Sequence, residues 1–475
     1  MAEDRASLTF WGGAGCVTGS KYQVEVNGSS VLLDAGLFQG LKKFRLRNWE
    51  KPPFDPSRIN AVILSHAHID HSGYLPALFK NHFRGKVYCT PGTADLLDVL
   101  LLDSADLQEE EAERANRKGY SKHKPALPLY TLEDADLALN HVKHYPYGRL
   151  FEAAHGIHCR FHRAGHILGS ALVELEVGRK RKTRVVFSGD LGRWNRPIIR
   201  DPEFVPEADI LLVESTYGDR MHATGERENL ARIVNEAAAR GGALIIPAFA
   251  LGRTQELMWT LRRLEDEKKI PILPVYVDSP MAKAVTDIYC SHPEDHDLDL
   301  ELLKEGQPPL LYPHQCRFTR SPEESKALNK IEEPVIIISA SGMATGGRVL
   351  HHLRARLPDP RTTVLLCGYQ AAGTRGRALL EGVRSLRIYG QEVPVKARID
   401  ELDGLSAHAD RGEVMKWLSG FKKPPAQTYV VHGEPEASLS MAEEIRRTLG
   451  WNVRPAKDGE TVPLLDAACV SNAQF

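Results

Sequence analysis

Short apolar runs, each about as long as a β-strand, recur along the first half of the chain between polar segments. The runs at 22–26 and 31–33 flank Asn27-Gly28, a dipeptide typical of tight β-hairpin turns. The run at 61–64 is rich in β-branched residues and predicts a buried strand. Longer stretches with spaced apolar residues predict helices at 94–118 and 132–142. Further strands are predicted at 86–89, 159–163, 184–188, 210–213 and, near the C-terminus, 428–431.

The pattern changes between residues 218 and 394. Here strand-like runs alternate with helical segments, which is the pattern of a parallel sheet covered by helices. The strands are predicted at 243–246, 272–277, 335–338 and 363–366, and the helices at 226–240, 254–269 and 323–332. Because His432, a residue of metal-ligand type like those of the first domain, lies after this segment, we expect the segment to be a second domain inserted into the first. The predicted domains are 1–217 and 395–475 together, with 218–394 inserted between them.

Composition and charge narrow the class of protein. With 475 residues, 42% hydrophobic and 26% charged, the chain has the composition of a globular protein with two domains. The formal net charge of -1 gives no global positive field for nucleic acid, although a local basic groove can exist within a neutral total. The seven cysteines are scattered and never form a CxxC pair, which favours a reducing compartment. No signal peptide is visible and no apolar run approaches about 20 residues, so we expect a cytoplasmic protein without a membrane partner.

The strongest chemical signal is His66-Ala67-His68-Ile69-Asp70-His71, directly after the run at 61–65. Residues two apart in an extended chain point to the same side, so His66 and His68 can hold one ion. Asp70 and His71 follow where the chain turns toward a predicted helix, and they can serve a second ion. Three imidazoles and a carboxylate are costly to bury without a positive partner. The stretch therefore predicts a metal site.

Other residues able to do metal or acid–base chemistry follow the predicted strands. Loops beyond strand ends are free to carry functional side chains, so we expect these residues to gather at one site. A single histidine at a strand end is usually structural, and it is the joint pattern that indicates a site. The residues are Asp34, His166, Asp190, Glu214 and His432.

A glycine-rich loop follows the strand predicted at 335–338 and precedes an apparent helix. Backbone N–H groups in such loops can bind a phosphate, and an arginine adds positive charge. The alternative is an ordinary turn in which Ser341 or Thr345 caps the helix. The residues predicted to bind substrate are Ser341, Gly342, Gly346, Gly347 and Arg348.

These motifs resemble, in order, those of the metallo-β-lactamase superfamily and of its β-CASP nucleases. The residues at 66–71, with Asp34, His166, Asp190 and His432, resemble the superfamily series, and those at 214–219, 406–410 and 431–434 resemble the three β-CASP motifs. Similarity continues through 247–253, 278–282 and the glycine-rich loop, and so covers nearly the whole chain. The resemblance implies an α/β fold, an αβ/βα sandwich with an inserted parallel-sheet β-CASP domain as a lid.

The resemblance also implies roles for individual residues. One zinc ion would be held by His66, His68 and His166, and a second by Asp70, His71 and His432, with Asp190 bridging the two. Asp34 would orient a ligand histidine. His408 would donate a proton to the leaving 3′-oxygen and be held by Glu214, although the residues alone also allow His408 to be structural or a metal ligand. The implied catalytic residues are His408, Glu214, Asp190 and Asp70.

The implied reaction is hydrolysis of single-stranded RNA by hydroxide attack at the two zinc ions, leaving 5′-phosphate and 3′-hydroxyl ends. Cleavage would be endonucleolytic, with 5′-exonuclease activity also open, in RNA processing or decay. The pattern is similar to bacterial nucleases related to the endonuclease that cleaves pre-mRNA 3′ ends. The alternatives are a β-CASP DNA nuclease, which typically has valine at the position of His432, a small-molecule metallo-hydrolase, and an RNA-binding subunit that does not cleave. A homodimer is also left open.

Overall fold

The computed structural model describes residues 6–119, 121–179, 182–296 and 311–464. The chain forms two compact units, Met1–Met221 with His408–Phe475, and His222–Ala407. The domain limits predicted from the sequence, 1–217, 218–394 and 395–475, stay a prediction. One strand beyond residue 394, Arg398–Leu402, pairs with Thr363–Cys367 inside the second unit. Cys469 lies outside the described residues.

Two sheets form the framework of the first unit. The strands of one sheet are β1 (Ala6–Gly12), β2 (Lys21–Val26), β3 (Ser29–Leu33), β4 (Ala61–Ile63), β5 (Lys86–Cys89), β6 (Val142–His144) and β22 (Thr461–Pro463). They lie in the order β22-β1-β2-β3-β4-β5-β6, antiparallel from β22 to β3 and parallel from β3 to β6. The predicted hairpin is confirmed, since Asn27 and Gly28 join β2 to β3 with φ values of 50° and 87°.

The other sheet of the first unit comes mainly from later parts of the chain. Its strands are β7 (Phe151–Ala154), β8 (Ile157–Arg163), β9 (Ala171–Val177), β10 (Thr183–Phe187), β11 (Ile210–Glu214), β20 (Gln427–Val431) and β21 (Val453–Pro455). They lie in the order β21-β20-β11-β10-β9-β8-β7, with parallel pairing from β10 to β21. The strands predicted at 159–163, 184–188, 210–213 and 428–431 are confirmed. β9 was not predicted.

Helices cover both sheets of the first unit, and the main core lies between the sheets. Leu8, Phe10 and Tyr22 of the first sheet pack in that core with Phe161 and Phe187 of the second. The helices are α1 (Lys42–Arg47), α2 (Ile69–Ser72), α3 (Leu75–Lys80), α4 (Pro91–Lys118), α5 (Leu132–Leu139), α12 (Arg411–Leu418) and α13 (Pro435–Leu449). Residues of α12 and α13 cluster with β11 of the second sheet, whereas α4 packs beside α5 and β6 of the first. The predicted αβ/βα sandwich is confirmed.

The second unit is built on a parallel sheet. Its strands are β12 (Ala243–Pro247), β13 (Val275–Asp278), β14 (Cys316–Phe318), β15 (Val335–Ser339), β16 (Thr363–Cys367) and β19 (Arg398–Leu402), in the order β14-β13-β15-β12-β16-β19. Every pair in this sheet is parallel, as predicted. A separate hairpin consists of β17 (Ser385–Ile388) and β18 (Gln391–Pro394). The strand predicted from residue 272 begins only at Val275, because Pro274 has no N–H to donate.

Helices cover both faces of this parallel sheet. They are α6 (Glu226–Ala239), α7 (Arg253–Asp266), α8 (Pro280–Ser291), α9 (Pro322–Leu328), α10 (Val349–Arg356) and α11 (Arg375–Leu380). Leu244 and Ile246 of β12 pack in the cluster that contains α6 and α7, whereas Ile245 packs in the cluster that contains α10 and α11. The helix predicted at 323–332 ends earlier, at Leu328. Among the described residues, no helix combines the length and apolar character needed to cross a membrane.

Candidate metal centre

The histidine-rich stretch lies where β4 ends and the short helix α2 begins. His66 and His68 are on the extended connection, and His68 is the residue before the first turn of α2. Asp70 and His71 lie within α2. His66 and His71 are fully buried. The change from extended chain to helix therefore divides the stretch into two pairs with different directions, as the spacing predicted.

The first pair meets His166, which follows β8. Nε2 of His66 is 3.1 Å from Nδ1 of His68, and Nε2 of His166 is 3.2 Å from the same Nδ1. One carboxylate oxygen of Asp190, Oδ2, is 3.4 Å from His66 Nε2 and 3.5 Å from His166 Nε2. Each of these four residues offers a donor atom within 4.8 Å of the others. They form the first donor group.

The second pair meets His432, which follows β20. Nε2 of His71 is 3.2 Å from Nε2 of His432, and Oδ2 of Asp70 is 3.4 Å from the same His432 atom. The other oxygen of Asp190, Oδ1, is 3.2 Å from His71 Nε2 and 3.1 Å from His432 Nδ1. Asp70, His71 and His432 form the second donor group. The two oxygens of Asp190 thus face the two groups separately.

Asp34 contacts His71 at Nδ1, the ring nitrogen that does not face the second donor group. Its Oδ2 is 2.7 Å from Nδ1 of His71, and its carboxylate also accepts the backbone N–H of Ser65 at 2.7 Å and the Ser65 hydroxyl at 2.8 Å. The backbone of Asp34 is left-handed, with φ at 58°, a conformation that costs energy for a residue other than glycine. These contacts leave Nε2 of His71 directed at the second donor group, which suits a metal-ligating imidazole.

Burial makes the imidazoles of the first group good ligands. It lowers the pKa of His66 to about 3 and that of His68 to about 4, so both rings are neutral at pH 7. Burial also lowers the pKa of His166 well below its usual value. In contrast, burial would lower the pKa of His71, but the carboxylates of Asp190 and Asp34 raise it well above the ordinary range. The second group therefore attracts positive charge strongly.

The donor set fits two divalent cations. Nitrogen and oxygen donors in threes, with one shared carboxylate, are a normal ligand set for zinc. Oδ1 of Asp190 is buried and has no hydrogen-bond donor aligned with it among the described residues. Such an orphaned carboxylate oxygen is costly to bury, and a cation between it and the neighbouring imidazoles would remove that cost.

His408 lies beside this centre, next to Asp190. Its Nδ1 is 3.1 Å from Oε1 of Glu214, and its Nε2 is 3.8 Å from Oδ2 of Asp190. Glu214 is fully buried and accepts backbone N–H groups from Leu191 at 2.7 Å and Thr216 at 3.1 Å. Burial lowers the pKa of His408, but the Glu214 and Asp190 carboxylates outweigh it and raise the pKa to about 9. The ring can therefore carry a proton at its Nε2.

The glycine-rich loop belongs to the second unit and has an organised structure. The Ser341 hydroxyl accepts the N–H of Thr345 at 3.0 Å inside the loop, but neither residue caps the helix as the alternative predicted, because α10 begins after Arg348 with no side-chain cap. A side chain on Gly342 would collide with the Phe249 ring, whereas Gly346 faces open space and Gly347 has φ at 75°. Arg348 pairs with the buried Asp278 at 2.8 Å. The substrate-binding role of this loop stays a prediction.

Two residues that support the centre were not predicted. Ser65 donates to Asp34 and also lies 3.0 Å from Nδ1 of His66, so it links two of the predicted site residues. The Thr216 hydroxyl donates to the carbonyl of His432 at 3.2 Å, and His432 has a left-handed backbone with φ at 47°. Ser65 directly precedes the first histidine, a position from which a supporting role can be inferred. Nothing local in the sequence connects Thr216 to His432.

Comparisons with known proteins agree with this fold. The model of the metallo-beta-lactamase superfamily matches residues 15–248, that of the Beta-Casp domain 254–379, and that of the Zn-dependent metallo-hydrolase RNA specificity domain 392–455. The chain belongs to the metallo-β-lactamase superfamily, in its β-CASP group of metallo-hydrolases.

Several curated relatives are similar over almost the whole chain. Ribonuclease TTHA0252 of Thermus thermophilus is 35% identical over 457 residues, covering 96% of this chain and 99% of that protein. An RNase J-like protein of Methanocaldococcus jannaschii is 32% identical, covering 93% of this chain and 96% of that protein. Transcription termination factor FttA of the same organism is 32% identical, covering 93% and 69%.

A solved structure shares the fold at low sequence identity. It is described as a protein of unknown function from Enterococcus faecalis V583 and has a TM-score of 0.51 with 14% identity. The match covers 97% of this chain and 100% of that one. It supports the architecture alone.

Proposed function

We propose that this chain is a ribonuclease that uses two zinc ions to hydrolyse phosphodiester bonds inside single-stranded RNA. The observation that carries the proposal is Asp190, whose two carboxylate oxygens each face a separate group of metal donors. The substrate class is supported by the similarity to proteins described as ribonucleases and by the match to an RNA specificity domain.

The proposed zinc ligands are the residues of the two donor groups. His66, His68 and His166 would hold one ion, Asp70, His71 and His432 the other, and Asp190 both. Two zinc ions held there would supply positive charge for the phosphate oxygens and lower the pKa of water at the site. Asp34 keeps His71 in the orientation that this arrangement needs.

The proton needed by the leaving group comes from His408. Glu214 accepts the N–H at Nδ1 of His408, which fixes the ring and leaves the Nε2 proton on the side of Asp190. Transfer of that proton to the leaving 3′-oxygen would give the upstream fragment a 3′-hydroxyl end. The phosphate would stay on the downstream fragment as its 5′-phosphate. A positioned general acid of this kind typically contributes about 10²–10⁴-fold to the rate.

The test uses one RNA, labelled at either end, and DNA of the same sequence. The purified protein is expected to contain about two zinc ions, to cut the RNA internally with 5′-phosphate ends, and to lose activity with a chelator. DNA should be cut much more slowly. Release of mononucleotides from the 5′ end would add the exonuclease mode, and light scattering on the same sample would test for a homodimer.

The matched variants are Asp190→Asn and Asp106→Asn. Asp190→Asn should abolish cleavage because both donor groups lose their shared ligand, whereas Asp106 is exposed on α4 and its variant should cleave normally. Full activity with one ion per chain would contradict the two-metal arrangement. Equal rates on RNA and DNA, or RNA binding without cleavage by a fully zinc-loaded protein, would contradict the proposed reaction.

A further inference from the structure

A short exposed segment of the first unit has a composition that the metal centre does not explain. Residues 42–51, here called the basic-aromatic segment, read Lys-Lys-Phe-Arg-Leu-Arg-Asn-Trp-Glu-Lys and contain five basic residues against one acid. The whole chain, in contrast, has a net charge of -1. The segment contains α1, in which no residue is buried. It is a local concentration of positive charge on a nearly neutral protein.

Its large apolar side chains are also exposed. Trp49 is 59% exposed and Leu46 is 50% exposed. Within the part of the chain that the structure describes, the side chains of Lys42, Lys43 and Arg45 make no ion pair or hydrogen bond, and the Lys43 ammonium lies 5.0 Å from the Phe44 ring centroid. Exposed lysines are ordinary, but here Trp49 and Leu46 are exposed beside three cations that form no ion pair with described residues, so the surface is both apolar and basic.

The segment is nevertheless held firmly in place. The Asn48 side chain accepts the N–H of Phe38 at 2.9 Å and donates to its carbonyl at 2.8 Å. The Phe38 ring stacks on the Phe44 ring with 6.3 Å between centroids. The Arg47 guanidinium lies over the Phe38 ring, 4.1 Å from its centroid. Arg47 also donates to the Trp11 carbonyl at 3.1 Å. The exposed side chains are therefore presented from a fixed backbone.

This anchoring also places the segment near the metal centre. The N–H of Leu37, the residue before Phe38, donates to the carbonyl of Ile69 at 2.9 Å, and Ile69 is adjacent to Asp70. Lys42 comes five positions after Leu37, a span of at most about 18 Å. Asn48 is tied to Phe38, the residue after Leu37, so the C-terminal end of α1 is anchored beside this point. The segment therefore belongs to the same part of the first unit as the connection that carries Asp70.

We propose that the basic-aromatic segment is a second contact surface for single-stranded RNA, outside the metal centre. Lys42, Lys43 and Arg45 would neutralise phosphates, and Trp49 would stack on a base, which is the combination that single-strand binding surfaces use. The proposal rests on the proposed function, since it assigns the surface to the same substrate. It implies that long RNAs are bound more tightly than short ones that reach only the metal centre.

The experiment compares two variants with matched controls on a long and a short RNA. The variants are K42Q/K43Q/R45Q and Trp49→Ala. The control for the triple variant is R114Q/R117Q/K118Q, which changes three exposed basic residues at the C-terminal end of α4. The control for Trp49→Ala is Trp49→Phe, which keeps an aromatic ring. None of the replaced side chains lies in the core, and thermal unfolding checks that each variant folds.

The triple variant should raise KM for the long RNA at least 10-fold, leave kcat nearly unchanged, and leave the short RNA unaffected. Its salt dependence should also weaken, with the slope of log K against log salt falling by about 2 for three lost phosphate contacts. Trp49→Ala should weaken binding about 5- to 100-fold, and Trp49→Phe should restore much of it. Photocrosslinking of 5-bromouridine RNA to Trp49, mapped by mass spectrometry, provides a measurement that needs no variant.

The outcomes are distinguishable. If the triple variant behaves like the α4 control, or if the short RNA is affected equally, the surface does not bind RNA and the proposal is wrong. A change in oligomeric mass with unchanged RNA binding would assign the surface to a protein contact instead, which also overturns it. If the unmodified protein binds RNA but does not cleave it, the proposed function fails, while the binding and crosslinking measurements still decide this proposal.

Discussion

The two nitrogens of His408 face different partners, Glu214 on one side and Asp190 on the other. This geometry allows either a proton donor or a metal ligand, and the two roles differ at Nε2, where a ligand needs a free lone pair and a donor carries a proton. The high pKa that the two carboxylates give the ring favours the protonated form. The role of His408 can therefore be tested at the level of this single side chain.

His408→Ala should reduce kcat by about 10²–10⁴-fold and leave zinc content and RNA affinity nearly unchanged. A substrate with a bridging 3′-phosphorothiolate needs less protonation of its leaving group and should recover much of the loss. The measurements are single-turnover rates on both substrates and metal analysis. Loss of zinc from the variant would make His408 a ligand, and absence of rescue with full zinc content would remove the acid role.

Lys21 is a buried cation whose protonation is linked to stability. Its ammonium donates to the carbonyls of Gly36 and Gly19 and lies 4.5 Å from the Phe38 ring centroid. Burial, and then the charge of Arg47, lower the pKa of Lys21 from 10.5 to about 7. Between these values the unfolded chain binds the proton and the folded chain does not, so Lys21 makes the protein more stable as pH rises.

Lys21→Met should remove this contribution. The free energy of unfolding of the variant, relative to the unmodified protein, should therefore fall between pH 7 and pH 10, by at most roughly 1.4 kcal/mol per pH unit. Urea unfolding at several pH values measures the difference, with Lys80→Met, at an exposed lysine of the same unit, as the control for loss of a lysine. A difference that is constant with pH would show that Lys21 stays charged in the fold.

At the level of elements, Asp278 ties together four parts of the second unit. It ends β13, and its buried carboxylate accepts from Thr319 after β14, from Ser325 of α9 at 2.6 Å and from Arg348 at 2.8 Å, and pairs with His352 of α10 at 2.6 Å. These contacts hold the pKa of Asp278 well below its usual value despite burial, which alone would raise it. The carboxylate thus fixes the start of α10 and the glycine-rich loop before it.

Asp278→Asn should destabilise the second unit by roughly 3 kcal/mol, because Arg348 and His352 lose a buried charged partner. Native-state hydrogen exchange should then be about 100-fold faster in β13 and α10. Asp359→Asn removes an exposed pair with Arg361 and should change stability by less than about 1 kcal/mol. Equal exchange in the two variants would show that Asp278 does not organise these elements.

The elements that were predicted from sequence are those with a clear local pattern. The Asn27-Gly28 hairpin and the parallel strands of the second unit are of this kind. β9 was missed because Glu174 interrupts its apolar run, and only the fold shows that this buried glutamate pairs with His162 at 2.7 Å and Arg184 at 3.2 Å. The Asp278 network was missed because its partners lie up to 74 residues away in sequence.

In the candidate site, too, the local pattern could be predicted from the sequence and the contacts between distant residues could not. The spacing of the residues at 66–71 alone predicts a metal site. In the structure, His166, Asp190 and His432 lie beside them and come from the ends of other strands. Which donor atoms face each other is set by the packing of two sheets, and no spacing reveals that. The exposure of Trp49 likewise depends on the Asn48 contacts with Phe38, which hold α1 outside the core.

At the scale of the whole molecule, the residues of the two donor groups come from segments before and after the second unit in the sequence. Six of the seven proposed ligands precede residue 222, whereas the seventh, His432, and the proposed proton donor, His408, come after residue 407. His71 and His432, whose Nε2 atoms lie 3.2 Å apart, are 361 residues apart in the chain. All of the second unit is therefore synthesised before the last ligand of the centre.

This order has a consequence during translation. At about 5–20 residues per second, the ribosome needs roughly 20–70 s to get from His71 to His432. Once Asp190 has been made, the nascent chain contains the whole first donor group, but it lacks the proposed proton donor until His408 and the last ligand of the second group until His432. On the proposed function, the growing polypeptide cannot cut the message that encodes it until His432 has been made.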